Sequence, residues 1–230
     1  NSILLESSDY HGNDNSFSYI CCNPIASIKV EASVITKTYP DRTTEIKTVS
    51  HDKVTLEIDA FTKQFETQKD KVFKFINNGM FGFTAYDAVK YFEDITISKK
   101  NGSVEIPDMY YAVYQNIIAI NHFKNEAYIF AHCYENESNI EAIDHLIKMQ
   151  SFSSYDFKSK GEISSNLTDE AFKSNVDLAK KHCNRGDVFH LVLSKKFQQD
   201  FKGDDFNVYR ALRSINPSPF LFYFDYGKFK

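Results

Sequence analysis

Few reactive side chains in this sequence are spaced for catalysis or metal binding. The four cysteines form no CxxC pair and no zinc-finger spacing, and the seven histidines form no HExxH pair. Cys21 and Cys22 are adjacent, a spacing that disfavours a disulfide between them. We therefore expect reduced, structural cysteines and no metal site within these residues.

Two pairs of adjacent carboxylates are the other candidates for chemistry, Glu93-Asp94 and Asp204-Asp205. Side chains adjacent in sequence do not converge on one substrate, and Asp204-Asp205 is typical of a helix cap. His190 could serve as an acid or base. No partner carboxylate can be identified for it, so a strand-surface or satisfied core histidine is favoured. We assign no catalytic residue within the chain.

The elements that position these residues are predicted from hydrophobic periodicity. Residues 26–39 are rich in strand formers, with Ile28, Val30, Ala32 and Val34 alternating with polar neighbours, whereas 52–67 is ambiguous between helix and strand. Ala85, Val89 and Phe92 repeat at helical spacing. Further strands are predicted at 3–7, 17–22, 76–84, 114–120, 127–132, 188–194 and 220–225, and helices at 138–150, 168–185 and 205–214. Hairpins with few βαβ signatures favour an α+β fold, with helices packed on antiparallel sheets.

Composition divides the chain into three segments. Residues 150–166 hold six serines and few apolar residues, which is typical of an exposed linker. A helix then begins with Thr168 as its cap and ends before Gly186. We predict a domain over 1–150, a linker over 151–166 and a second domain starting at 167 and still incomplete at 230. Because the first residue is Asn1 and the aromatic-rich end has no polar tail, we expect a piece of a longer protein.

The overall composition excludes several partners. Hydrophobic residues make up 42% and charged residues 25%, which indicates a soluble globular protein. The net charge of −4 disfavours nucleic acid and anionic membrane surfaces. No apolar run approaches the ~18 residues of a membrane span, and no signal peptide opens the chain. We expect a cytoplasmic protein with no nucleic-acid or membrane partner.

Motifs spread over nearly the whole chain resemble one family. They are ILLES at 3–7, GFTAYDAVKYFE at 82–93, residues 107–125, NLTDEAF at 166–172, CNRGDVF at 183–189, Leu193-Ser194 and YRALRSINPSPFLFY at 209–223. In this order they resemble the chorismate-utilising enzymes, and within them anthranilate synthase component I most closely.

The resemblance implies a two-layer α/β sandwich with an amino-terminal regulatory region and a carboxy-terminal chorismate site. It implies magnesium-dependent conversion of chorismate and ammonia to anthranilate and pyruvate in tryptophan biosynthesis. The ammonia would come from a glutamine amidotransferase subunit. The family's magnesium-binding glutamates and chorismate-binding residues match nothing before Lys230, so we expect this chain by itself to be inactive and to lack the Mg²⁺ ligands.

Two motifs match the site at which L-tryptophan inhibits members of the family. The resemblance assigns Glu6 and Ser7 from the first motif, and Pro219, Phe220 and Leu221 from the second. On a strand, Ser7 would share a face with Ile3 and Leu5, where a buried hydroxyl needs a partner. The prolines at 217 and 219 stiffen their loop, and an aromatic beside an aliphatic side chain suits an indole ring. Many members have Tyr and Met at 220 and 221, which puts affinity rather than the site in doubt.

Alternatives remain for each interpretation. Ser7 could cap the loop into Asp9, and residues 216–221 could merely lead into a core strand. The resemblance also admits aminodeoxychorismate synthase component I, which makes a folate precursor. From another functional class, the chain could be a non-catalytic amino-acid-binding module.

Overall fold

The computed structural model describes residues 1–7, 16–67, 72–97, 106–134, 138–149 and 155–230. Contacts between residues divide the chain into two compact units. The first comprises Asn1–Ser151 together with Asn216–Lys230, and the second comprises Phe152–Ile215. These boundaries differ from the predicted domains at 1–150 and 167–230, because the end of the chain pairs with the first strand instead of with the segment that precedes it.

An antiparallel sheet dominates the first unit. Its eight strands are β1 (Ser2–Glu6), β2 (Phe17–Glu31), β3 (Val34–Thr38), β4 (Thr44–Thr48), β5 (Met80–Thr84), β6 (Met109–Asn121), β7 (Glu126–Ala131) and β10 (Leu221–Asp225), while β8 and β9 belong to the second unit. Five of these strands follow one path in the order β10-β1-β2-β3-β4, and β6 pairs with β2, β5 and β7. The unit also contains two α-helices, α1 (Val54–Thr62) and α2 (Ile140–Met149), and a 3-10 helix over Tyr86–Tyr91.

Two hydrophobic clusters hold this sheet. In the first, side chains of β2, β3 and α1 pack together, among them Ile28, Val30 and Phe61. In the second, side chains of β1, β6 and the end of the chain pack together, among them Ile3, Ile117 and Tyr226. Cys21 belongs to the second cluster, and burial raises the pKa of its thiol to about 12. Cys21 is therefore a neutral packing residue, as predicted, and none of the four cysteines forms a disulfide.

The β2–β3 hairpin corrects the predicted continuous run over 26–39. Ala32 and Ser33 adopt positive φ angles of 48° and 67°, which suit a two-residue hairpin turn. The chain reverses there, so the alternation restarts: Ile35 is buried, Val34 is only partly buried and Ala32 is exposed. Extrapolating one alternation through the turn placed Ala32 and Val34 on the wrong face.

Other predictions for the first unit have mixed outcomes. The β6–β7 hairpin and helix α2 are confirmed, and the ambiguous segment at 52–67 contains α1. Strand β5 begins at Met80 instead of 76, but the expected close approach is present. An added Cβ on Gly82 would lie 1.9 Å from the carbonyl oxygen of Tyr110. The segment after β5 is a 3-10 helix, which has three residues per turn. It therefore buries Ala88 and Tyr91 instead of the predicted stripe of Ala85, Val89 and Phe92.

The second unit contains strands β8 (Lys158–Ser165) and β9 (Phe197–Lys202) and helices α3 (Asp169–Arg185) and α4 (Phe206–Ile215). Thr168 Oγ1 accepts a hydrogen bond from the Ala171 amide at 3.2 Å and Gly186 has φ 80°, so both predicted caps of α3 are confirmed. The predicted linker is wrong over Lys158–Ser165, which pairs antiparallel with β9. The predicted strand at 188–194 is also wrong, because no described residues pair with it. No described helix in either unit is long and apolar enough to cross a membrane.

Candidate functional site

Strands β1 and β10 bring the two predicted ligand-binding motifs together from opposite ends of the chain. The strands are antiparallel neighbours, with Glu6 opposite Leu221 and Leu5 opposite Phe222. Ser7 follows the last residue of β1 and Phe220 precedes the first residue of β10, so both residues are next to the last pair of this register. The proximity of the motifs therefore results from backbone pairing in the first unit.

The five predicted residues divide between the two faces of the sheet. Directly opposed residues in an antiparallel pair point to the same face, and successive residues alternate. Ser7 and Phe220 thus continue the face of Leu5 and Phe222, whereas Glu6 and Leu221 lie on the other face. Pro219 is exposed in the loop before β10. Side chains on one face can contact the same ligand, and Ser7 and Phe220 are the predicted residues that continue the face of Leu5 and Phe222.

The face that carries Ser7 is aromatic, and it is buried at one end and open at the other. Ile3 is buried in the second cluster, and Leu5 and Phe224 pack against it. The Phe222 and Phe224 rings are 5.0 Å apart. Towards Ser7 the surface opens, because Phe222 is 64% exposed and Phe220 is 84% exposed. An exposed pair of aromatic rings beside a hydroxyl can accept a planar ligand that has a polar group.

A segment over 72–78 packs beside the start of β2. Its Phe75 ring lies 4.7 Å from that of Phe17, the first residue of β2. The Tyr19 hydroxyl is hydrogen-bonded to the backbone of Ile76, and burial raises the pKa of Tyr19. Phe17, Tyr19, Lys74 and Phe75, with 76–78, line a cavity of ≈ 410 Å³. This volume falls within the usual range for small-molecule sites, roughly 300–1,000 Å³.

Strand register connects the cavity to the predicted residues. Leu5 lies opposite Tyr19 on β2 as well as Phe222 on β10. This pairing ends at Leu5–Tyr19, two residues before Ser7 on β1 and two residues after Phe17 on β2. Sequence reasoning missed Phe17, Tyr19 and Phe75, because a contact between β2 and 72–78 depends on how the chain folds over the sheet. The spacing of Phe73 and Phe75 was the only signal that this segment has an inward side.

The loop before β10 has little conformational freedom. Pro217 and Pro219 each have a fixed φ, and Ser218 Oγ accepts a hydrogen bond from the Phe220 amide at 3.3 Å. A stiff loop can present Phe220 without a large ordering cost on binding. Ser7 is partly buried. The alternative role of Ser7, as a cap for the loop into Asp9, involves a residue outside the described ones.

The remaining candidate residues lie apart from this surface or have structural partners. Glu93, Asp94 and His190 are exposed. Asp204 Oδ1 accepts a hydrogen bond from the Phe206 amide at 3.0 Å, which confirms the predicted capping role at the start of α4. Within the described ranges, no group of three or more His, Cys, Asp or Glu side chains could hold a metal ion. These residues therefore do not fit a magnesium site, and we assign no magnesium-dependent step to them.

Comparison with known proteins gives concordant results. Anthranilate synthase component 1 of Lactococcus lactis is 27% identical over 241 residues, which cover 100% of this chain and 50% of that protein. Aminodeoxychorismate synthase component 1 of Bacillus subtilis is 25% identical over 239 residues, covering 99% of this chain and 48% of that protein. The crystal structure of anthranilate synthase component I from Streptococcus pneumoniae matches with a TM-score of 0.64 and 25% identity, over 92% of this chain and 48% of that one.

The comparisons establish the extent of the match, the fold class and the family. The chain spans about half the length of these relatives. The structural match confirms the predicted α+β class with antiparallel sheets. The profile of the chorismate binding enzyme family matches residues 4–230, which is nearly the whole chain. The chain therefore belongs to the chorismate binding enzyme family.

Proposed function

We propose that the chain is the amino-terminal portion of an anthranilate synthase component I. The complete protein would be a lyase that converts chorismate and ammonia to anthranilate and pyruvate in tryptophan biosynthesis. A glutamine amidotransferase subunit would supply the ammonia, and Mg²⁺ would be held by residues outside this chain. L-Tryptophan would inhibit the enzyme by binding at the ends of β1 and β10, on the face of the sheet that carries Ser7 and Phe220.

One observation carries the regulatory part of this proposal. The Glu6–Leu221 pairing brings Ser7 and Phe220 to the same end of two neighbouring strands. The exposed rings of Phe220 and Phe222 offer an apolar surface for an indole, and the Ser7 hydroxyl can bond to the ligand's ammonium or carboxylate. Because Glu6 and Leu221 face the other side, their side chains would support this site from behind.

Aminodeoxychorismate synthase component I is the second candidate, since a relative with this name matches almost the whole chain. The two activities differ in their products. We expect the complete protein, supplied with chorismate, ammonium and Mg²⁺, to release anthranilate, which is detected by its fluorescence and mass. Accumulation of aminodeoxychorismate instead would assign the chain to the folate branch.

A stand-alone amino-acid-binding module is the alternative from another class. It predicts ligand binding without turnover and a reading frame that ends near residue 230. We expect residues 1–230 to produce no anthranilate under the same conditions, because no catalytic residue is assigned here. Anthranilate production by this chain alone would show that the catalytic residues have been misplaced.

A further inference from the structure

Strand β4 is an edge of the large sheet, and its outer side is open. It ends the path β10-β1-β2-β3-β4, and β3 is its only partner among the described strands. All the residues of Thr44–Thr48 are exposed, and Ile46 at the centre is 70% exposed. An open strand edge carries a row of N–H and C=O groups that can pair with another strand. This edge is therefore a candidate interaction surface.

Hydrogen bonds at the two ends of the β3–β4 ladder show which backbone groups of β4 point outwards. The Tyr39 amide donates to the Thr43 carbonyl at 3.0 Å. At the other end, the Val49 amide donates to the Ser33 carbonyl at 3.0 Å. Hydrogen-bonded and non-hydrogen-bonded pairs alternate along an antiparallel ladder, so the odd-numbered residues between these positions bond to β3. The even-numbered residues, whose N–H and C=O groups consequently point away from β3, are Thr44, Ile46 and Thr48.

The sequence of β4 is complementary to itself. Antiparallel pairing centred on Ile46 would set Ile46 opposite its counterpart and Thr44 opposite Thr48. These are the residues with outward N–H and C=O groups, so the two copies would exchange about six hydrogen bonds. Glu45 would lie opposite Lys47 in two symmetry-related pairs, at the positions where opposed side chains are closest. Threonine pairs and opposite charges across a ladder are both stabilising.

Charge selects this register over its neighbours. Sliding one strand by two residues would keep the hydrogen-bonding groups in place, but it would set Glu45 opposite Glu45 or Lys47 opposite Lys47. Like charges directly opposite each other are destabilising. Charged residues on an edge strand commonly prevent pairing, but these two have opposite signs and lie at equal distances from Ile46. Their side chains are 46% and 52% exposed, although each also has a partner within the chain.

We propose that β4 pairs with β4 of a second copy of this chain, which joins two sheets into one antiparallel sheet across a two-fold axis. Such an interface uses the same surface on both copies. One short strand from each copy buries less area than the roughly 1,200–2,000 Å² of a standard interface, so the association is weak. The pairing involves only residues of the first unit and is independent of the proposed activity.

Cysteine cross-linking tests the register. The exposed Cys133 and Cys183 are first replaced by serine, and oxidised glutathione serves as the oxidant that takes two electrons and two protons from each pair of thiols. Directly opposed residues with mutual hydrogen bonds have Cα atoms about 5.5 Å apart, which is within the disulfide range. We expect Ile46→Cys to form a covalent dimer. Thr44→Cys and Thr48→Cys should not do so alone, because each lies more than about 13 Å from its own counterpart, but a mixture of the two should.

Sedimentation at about 10 µM to 1 mM measures the same association without an added cysteine. Ile46→Pro removes an outward N–H group but no hydrogen bond to β3. Ile46→Val keeps that N–H group and is the matched control. We expect Ile46→Pro to raise the Kd of self-association by at least about tenfold, and Ile46→Val to raise it by less than about threefold.

Several results would overturn the pairing. They are the absence of a covalent dimer with Ile46→Cys, equal cross-linking by all three cysteine variants, and equal Kd values for the proline and valine variants. Cross-linking of this chain but not of the complete protein would also overturn it, because another segment would then cover β4. The cross-linking pattern decides the matter even where Ile46→Pro fails to fold.

Discussion

Removing one carboxylate between the sheet and α1 should destabilise the first unit by a predictable amount. Glu57 on α1 accepts hydrogen bonds from Lys37 Nζ at 2.7 Å and from Lys47 Nζ at 2.5 Å. Lys37 is only 5% exposed, and its other acidic neighbour, Glu45, is 4.0 Å away. Glu57→Gln therefore leaves a buried ammonium with one distant carboxylate.

The expected loss follows from the burial of this pair. Removing one partner of a buried ion pair costs about 3–5 kcal/mol, because the other charge stays buried and uncompensated. The side chain of Glu57 is 17% exposed and Glu45 remains near, so we expect a smaller loss of about 2–3 kcal/mol. The matched control is Asp59→Asn on the same helix. Its pair with Lys63 is exposed on both sides, and its loss should stay below about 0.5 kcal/mol.

Urea unfolding of the first unit at several pH values measures both changes. Hydrogen bonds from Lys37 and then Lys47 hold the pKa of Glu57 below its usual range. A carboxyl with a lowered folded-state pKa adds stability above its unfolded pKa, and that stability is lost as the pH falls through the folded pKa. The Glu57→Gln penalty should thus be complete at neutral pH and shrink below about pH 4. Equal penalties for the two variants, or one that persists in acid, would refute the reasoning.

Three further predictions address the site and the two units. In the complete protein, Ser7→Leu should leave anthranilate formation intact and abolish inhibition by L-tryptophan; unchanged inhibition in enzyme assays would remove Ser7 from the site. Gly82→Ala should destabilise the first unit by about 3 kcal/mol or more, because the new Cβ would lie 1.9 Å from the Tyr110 carbonyl oxygen; a denaturation midpoint equal to that of the original chain would contradict this. Thr168→Ala should destabilise the second unit by about 1 kcal/mol through loss of the cap on the Ala171 amide, whereas Thr168→Ser should retain most of it; equal unfolding curves for both variants would argue against the cap.

Local signals in the sequence predicted the elements whose cause is local. Helix α3 follows from an apolar stripe, a Thr168 cap and a left-handed Gly186, and each of these features is present. The β6–β7 hairpin follows from two apolar runs and a short polar loop. Strand β8 was missed because all its described side chains are exposed, so its serine-rich composition matches that of a linker. Its pairing with β9 is a property of the backbone, which composition does not report.

The candidate site could be predicted only in part for a related reason. Ser7 and Phe220 were identified through motifs, but their proximity depends on pairing between strands at opposite ends of the chain. The division of Glu6 and Leu221 from Ser7 follows from that same register. Phe17, Tyr19 and Phe75 lie in segments that carry no motif, and they line a common cavity because 72–78 packs beside β2. Contacts across such sequence distances require the folded sheet.

Titration of L-tryptophan with this chain, followed by the anisotropy of ligand fluorescence, tests the central claim most directly. The chain has no tryptophan, so the ligand is the only indole in the sample. The account predicts a saturable rise in anisotropy that excess L-phenylalanine does not reverse. A folded chain that leaves the anisotropy unchanged would contradict a tryptophan site at the ends of β1 and β10.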